Sequence, residues 1–221
     1  VALDYRGRGR SDWDGNWRNY GYRTDLNDIR HVLAALGLHR VVAVGTSYGG
    51  LLAMALGVMM PAALAGAVIN DIGPDLNPSG QQRIIDFISI DRPQTDWPSA
   101  VGYLRETLPH LPLKTEDDWQ IFARNTYRER DDGRLHFDWD VKLVRSVTGG
   151  QGNDVDLWAL FGSLKRLPVV AIRGALSDLL SAATLARMAA AHPGLVPVTV
   201  PGVGHAPALT EPECVAAIDA L

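Results

Sequence analysis

The stretch Gly45-Thr46-Ser47-Tyr48-Gly49 sets a serine two residues from a glycine on either side. This G-x-S-x-G pattern suits a nucleophile, because a serine held on a sharp, strained turn needs small neighbours where chain segments pass closely. A serine hydroxyl attacks an acyl carbon only when a base takes its proton and an acid orients that base. Six histidines are available as the base. His31 falls inside an amphipathic helix pattern, His39 in the turn before an apolar run, and His192 at a helix end before Pro193. His110 and His136 fall in a stretch that reads as helical. Only His205 follows a strand-like run in a glycine-rich loop, Pro201-Gly202-Val203-Gly204-His205-Ala206-Pro207, from which a side chain can reach back over a sheet edge. Two aspartates compete for the acid. Asp178 ends Arg173-Gly174-Ala175-Leu176-Ser177-Asp178, and Asp71 lies in Asn70-Asp71-Ile72-Gly73, where turn chemistry or a substrate contact is the plainer role. Both follow strand-like runs, at the ends where α/β sheets build their sites.

The elements that must hold these residues alternate. Val1-Ala2-Leu3-Asp4-Tyr5 is strand-like and stops at the flexible Arg6-Gly7-Arg8-Gly9-Arg10-Ser11. Leu26, Ile29, Leu33 and Leu36 recur at helical spacing, and Gly37 closes that helix. The β-branched run Val41–Val44 predicts a buried parallel strand, residues 49–60 a helix stopped by Pro61, and residues 65–69 the next strand. From about Pro74 to Leu160 no β-rich run appears, and helices are predicted over 81–89, 99–108 and 115–127. Strands over 168–173 and 196–200 and helices over 181–191 and 211–221 complete the chain. Such alternation predicts a parallel sheet covered on both faces, with a helical insertion after one strand. Ser47 then stands at a strand–turn–helix junction, where the helix N-terminus favours developing negative charge. The plainer alternative is a serine that merely caps the helix.

In these features the chain resembles the α/β-hydrolase superfamily along essentially its whole length. Asp4–Ser11 is similar to the segment such enzymes carry after their fourth strand, and Gly45–Gly49 to their nucleophile elbow. The resemblance implies an α/β-hydrolase fold with a core of residues 1–73 and 161–221 and a helical cap over 74–160. It implies the chain order serine, acid, histidine and an acid after the strand that follows the cap, which favours Asp178 beside Ser47 and His205, although some relatives place theirs after the earlier strand, where Asp71 lies. It further implies acyl transfer: His205 deprotonates Ser47, Ser47 attacks an acyl carbonyl, the Tyr48 backbone N–H supplies half of the oxyanion hole, and water releases the acyl group. The other half comes, in such enzymes, from a loop after the third strand. That loop would precede Val1, so the sequence is expected to be the larger part of a longer enzyme, truncated at its N-terminus. The expected substrate is a small, apolar acyl compound, an ester or lactone. The same triad serves carbon–carbon bond hydrolases and perhydrolases, and the fold also serves non-catalytic ligand-binding proteins or inactive fragments. No cofactor is implied.

Composition narrows the field. With 221 residues, 47% hydrophobic and 21% charged, the chain has the makings of one α/β-sized domain. A net charge of −4 gives no basic field for nucleic acid or an anionic membrane. Arg6, Arg8 and Arg10 between glycines make one short surface turn, too little for an RNA-binding tract. Gly149-Gly150-Gln151-Gly152 lacks the Lys-Ser/Thr of a phosphate-binding loop, and no two histidines share a metal-ligand spacing. The one cysteine, Cys214, excludes an internal disulfide, and with no signal peptide in view a cytoplasmic location is expected. Residues 51–67 are apolar but broken by Gly57, Pro61 and Gly66, too broken for a membrane span. Trp97, Trp119, Trp139 and Trp158, in or beside the insertion, are expected to build its small core rather than a substrate pocket.

Overall fold

A computed structural model describes residues 1–149 and 155–221. Gly150, Gln151 and Gly152 of the glycine-rich stretch noted above lie outside the described residues. The chain divides into two compact units. One comprises Leu26–Gln82, His110–Pro112 and the described residues from Val155 to Leu221. The other comprises Val1–Asp25, Arg83–Pro109 and the described residues from Leu113 to Gly149.

The first unit is a four-stranded, wholly parallel sheet in the order β1-β2-β5-β6. Its strands are β1 (Val41–Thr46), β2 (Leu64–Asn70), β5 (Val169–Gly174) and β6 (Leu195–Val200). Helices α2 (Tyr48–Met59), α8 (Ala182–Ala191) and α9 (Pro212–Asp219) follow β1, β5 and β6, α7 (Leu157–Gly162) precedes β5, and α3 (Pro78–Ser89) begins in this unit after β2 and ends in the second. The inner strands β2 and β5 are buried nearly end to end, which is why they read as continuous apolar runs. Val68, Val170, Ile172, Val200, Val203 and Cys214 form one core cluster, against which Ile218 and Leu221 pack. β1 is an outer strand of this sheet, and Val42 and Val44 stay about half exposed (46% and 56%), not buried as the β-branched run suggests. α1 (Tyr22–Ala35) buries Leu26, Ile29 and Leu33 as their spacing predicts, whereas Leu36 falls beyond its last turn and is exposed.

The second unit holds α4 (Trp97–Thr107), α5 (Glu116–Thr126) and an antiparallel hairpin of β3 (Tyr127–Glu129) and β4 (Leu135–Phe137). The hairpin is absent from the sequence-based expectation of helices alone. Phe137 is its centre, fully buried, stacked on Trp139 with centroids 4.1 Å apart, and close to Tyr127, Phe87 and Tyr103. Trp139 also donates from its indole nitrogen to the Ile88 carbonyl, and Trp119 is buried. Both therefore build interior, as expected. Arg124 lies over the Trp97 ring, and in the sheet unit Arg187 lies over Trp158, whose indole N–H donates to Asp75.

Val1–Tyr5 is not a strand. A strand exists only where a neighbour answers its N–H and C=O groups, and no ladder includes these residues. The following turn is instead tied to the segment after the hairpin: Gly9 N–H donates to the Asp138 carbonyl, Asp140 N–H to the Gly7 carbonyl, and Arg128 to the Gly9 carbonyl. Tyr20 adds a hydroxyl bond to the buried Asp140. These bonds tie residues 1–25 to the second unit.

His136 of β4 closes the hairpin unit between two carboxylates. Its Nδ1 lies 2.6 Å from Asp91 and its Nε2 2.9 Å from Asp132. The bond to Asp91, then that to Asp132, raises the imidazole above its ordinary value against partial burial, and the Asp132 carboxyl is held low by the same ring. A histidine raised in the fold stabilises below its unfolded value of about 6.5 and loses that contribution as pH rises through the folded value. An acid held low loses its contribution as pH falls through its own folded value. Thermal melts should therefore show this clamp at work near pH 6 and gone well above neutrality. His136→Gln should lower the melting temperature at pH 6 more than at pH 9, and an equal loss at both would refute the clamp.

Candidate active site

Three strand ends on one edge of the sheet carry the candidate residues. Ser47 links β1 to α2 with φ 52° and ψ −119°, and its side chain makes no hydrogen bond to the helix it precedes. A capping serine has extended backbone and accepts from the first turn, so helix capping does not account for this residue. Positive φ costs a non-glycine residue on the order of 1–3 kcal/mol and marks strain held for a purpose. Close approach makes the turn possible. A Cβ on Gly45 would lie 2.2 Å from the Gly49 backbone, and one on Gly50 would lie 2.4 Å from Ile72. Ser47 N–H donates to the Asn70 carbonyl (2.8 Å), which ties the elbow to the end of β2. Tyr48 opens α2, so its backbone N–H belongs to the helix end that carries positive partial charge.

Asp71 follows β2 directly, also at positive φ (53°), and is completely buried. Its Oδ2 accepts from His205 Nδ1 (2.7 Å) and from the Ser177 hydroxyl (2.6 Å), and its Oδ1 from Gly174 N–H (2.8 Å). This corrects the expectation for the acid: His205 is held by Asp71 and not by Asp178. The reason is topological. β2 lies between β1 and β5, so the residue after it is central, whereas Asp178 stands four residues beyond β5 in a loop whose backbone packs on Gly80. That loop contributes donors to the carboxylate instead of a carboxylate of its own. In the sequence Ser177 stands out only as a neighbour of Asp178. Its hydroxyl donates to Asp71 while accepting from Leu179 and Leu180 N–H (3.2 Å each), so it locks the turn and the acid together.

His205 lies in the loop after β6 with only 10% of its side chain exposed. Gly204, just before it, donates to the His110 carbonyl (2.8 Å) and packs on the His110 side chain. A carboxylate oxygen accepts, so the ring nitrogen that faces it, Nδ1, is the donor of this contact. Cys214 offers no rival nucleophile: burial first, then the Glu211 carboxylate, push its thiol up to about 12.

A strained elbow serine on one strand end, and on the next a buried acid that anchors a histidine, are features of hydrolases built on a parallel α/β sheet. The chain belongs to the alpha/beta hydrolase family, whose sequence profile matches residues 1–218, and the protein is a hydrolase. A solved alpha/beta hydrolase from Novosphingobium aromaticivorans is 39% identical with a TM-score of 0.90, over 98% of this chain and 77% of that one. A 3-hydroxybutyrate-oligomer hydrolase of Cupriavidus necator is 29% identical, over 98% of this chain and 76% of that one. A 2-(acetamidomethylene)succinate hydrolase of Mesorhizobium japonicum is 26% identical, over 93% and 71%. Among the described residues no helix is long and apolar enough to cross a membrane.

The two aspartates separate cleanly by experiment. Asp71→Asn should cut kcat for a p-nitrophenyl acyl ester by roughly 10⁴, the effect of losing the correct histidine tautomer. Asp178→Asn should leave kcat at the wild-type level, and the reverse order would restore the acid to the loop after β5.

Proposed function

We propose that the protein cleaves the ester bond of a small carboxylic ester through an acyl-enzyme on Ser47. His205 Nε2 takes the Ser47 proton as the oxygen attacks the acyl carbon. Asp71 holds the ring and stabilises the imidazolium that forms. The tetrahedral oxyanion is met by the Tyr48 backbone N–H at the head of α2. His205 returns its proton to the leaving alkoxide, then activates water, and the acyl group departs as the acid. The observation that carries this reading is the 2.7 Å bond from His205 to a fully buried Asp71, next to a strained serine that caps nothing. We read the hairpin unit as the counterpart of the family's cap. The likeness to an oligomer hydrolase of 3-hydroxybutyrate makes oligoesters of short hydroxy acids the first substrates to try.

Fluorophosphonate labelling read by intact mass tests the nucleophile. One adduct is expected on the folded wild type and none on Ser47→Ala, with ester turnover in that variant down by at least about 10³. An adduct that persists in Ser47→Ala, or turnover that survives it, would refute the assignment.

A further inference from the structure

We infer that Asn70 is a positioning residue that sets the distance between the nucleophile elbow and the histidine loop. The inference rests on the triad reading above. Asn70 is the last residue of β2, fully buried in a strand otherwise made of Leu, Ala, Gly, Val and Ile. An apolar side chain would be the ordinary occupant of such a place. Its Nδ2 instead donates twice: to Thr46 Oγ1 (3.0 Å), the residue before Ser47, and to the Pro207 carbonyl (2.8 Å), two residues after His205. One planar amide thus spans both loops. The Pro207 carbonyl can only accept, which fixes the amide with its nitrogen toward it. That orientation leaves Asn70 Oδ1 buried with no donor among the described residues. A buried acceptor without a partner destabilises the fold, so the amide is retained at a cost to stability. Its main chain serves the same geometry, since the Asn70 carbonyl accepts from Ser47 N–H. Side chain and backbone together hold Thr46, Ser47 and Pro207 to the strand end from which Asp71 grips His205.

The test is Asn70→Leu, which keeps the branched shape and the number of side-chain heavy atoms. It removes both donors and the orphaned acceptor together. The expected result is a melting temperature equal to or above wild type, kcat lower by about 10- to 100-fold with KM little changed, and fluorophosphonate labelling slowed in proportion. A purely structural asparagine predicts the opposite: a lower melting temperature and wild-type kcat per folded molecule. Thr46→Val removes one arm of the bridge while keeping side-chain shape, and should lower kcat several-fold. If Asn70→Leu does not fold, this variant decides. Leu64→Ala, buried at the opposite end of the same strand, should lower the melting temperature and keep wild-type kcat. Wild-type kcat in Thr46→Val, or in a folded Asn70→Leu, overturns the inference. Ser47→Ala distinguishes this from failure of the triad itself: an inactive Ser47→Ala beside an unimpaired Asn70→Leu sinks the positioning role alone.

Discussion

A carboxylate withdrawn from water must have its lone pairs filled by protein donors, and the sheet's active edge is organised around one such group. Asp71 takes a backbone N–H from Gly174, a hydroxyl from Ser177 and an imidazole N–H from His205. Each donor is itself committed elsewhere. Gly174 ends β5, Ser177 accepts two amides of the turn that leads toward α8, and His205 rides on a loop pinned through Gly204 to the His110 carbonyl. The strand order β1-β2-β5-β6 makes this convergence possible, because the residue after β2 is flanked by the ends of β1 and β5. The buried carboxylate therefore ties three loops together at once.

Much of this was legible in the sequence, for identifiable reasons. β2 and β5 are buried on both faces, so their apolar runs stand out, and the helices between them carry strong periodicity. Ser47 was legible because small residues recur around it where backbones nearly touch, and His205 because its loop follows the last strand. The carboxylate that holds His205 was not legible. Asp71 and Asp178 both follow strands, and local sequence says nothing of which strand lies in the middle of the sheet or which carboxylate loses its water. Ser177 was hidden for a related reason: a serine beside an aspartate in a loop reads as turn chemistry until the fold shows what its hydroxyl reaches.

The hairpin was missed although its signal was present. Asp132-Gly133 is a turn pair, and Gly133 adopts φ 73° with its N–H donating to the Arg130 carbonyl. Strands of three residues, with Arg128, Glu129 and His136 among them, are too short for a period to declare itself. Val1–Tyr5 failed in the opposite direction: its pattern is strand-like, but pattern supplies only a preference, and a strand needs a neighbour to pair with.

The two non-glycine residues at positive φ nearest the chemistry, Ser47 and Asp71, sit at equivalent heights on adjacent strands, and the backbone bond from Ser47 N–H to Asn70 O joins them. Strain at either site would relax if its surroundings could yield. They cannot easily do so, because Gly45 and Gly50 already bring backbones and Ile72 to within a side chain's width of one another, and β2 is buried along almost its entire length. Tight packing thus transmits, rather than absorbs, the geometry of each turn. Strain of this kind is tolerated where the surrounding structure over-determines it, and here the over-determination comes from the same apolar strands that made the fold readable. The polar residues Asn70 and Asp71 interrupt that apolar pattern only at its final step. A sheet whose interior is plainly hydrophobic and whose strand ends turn abruptly polar can give up a little stability at one edge without losing the order of its strands, and that order is what sets Asp71 beside the Ser47 turn and within reach of His205.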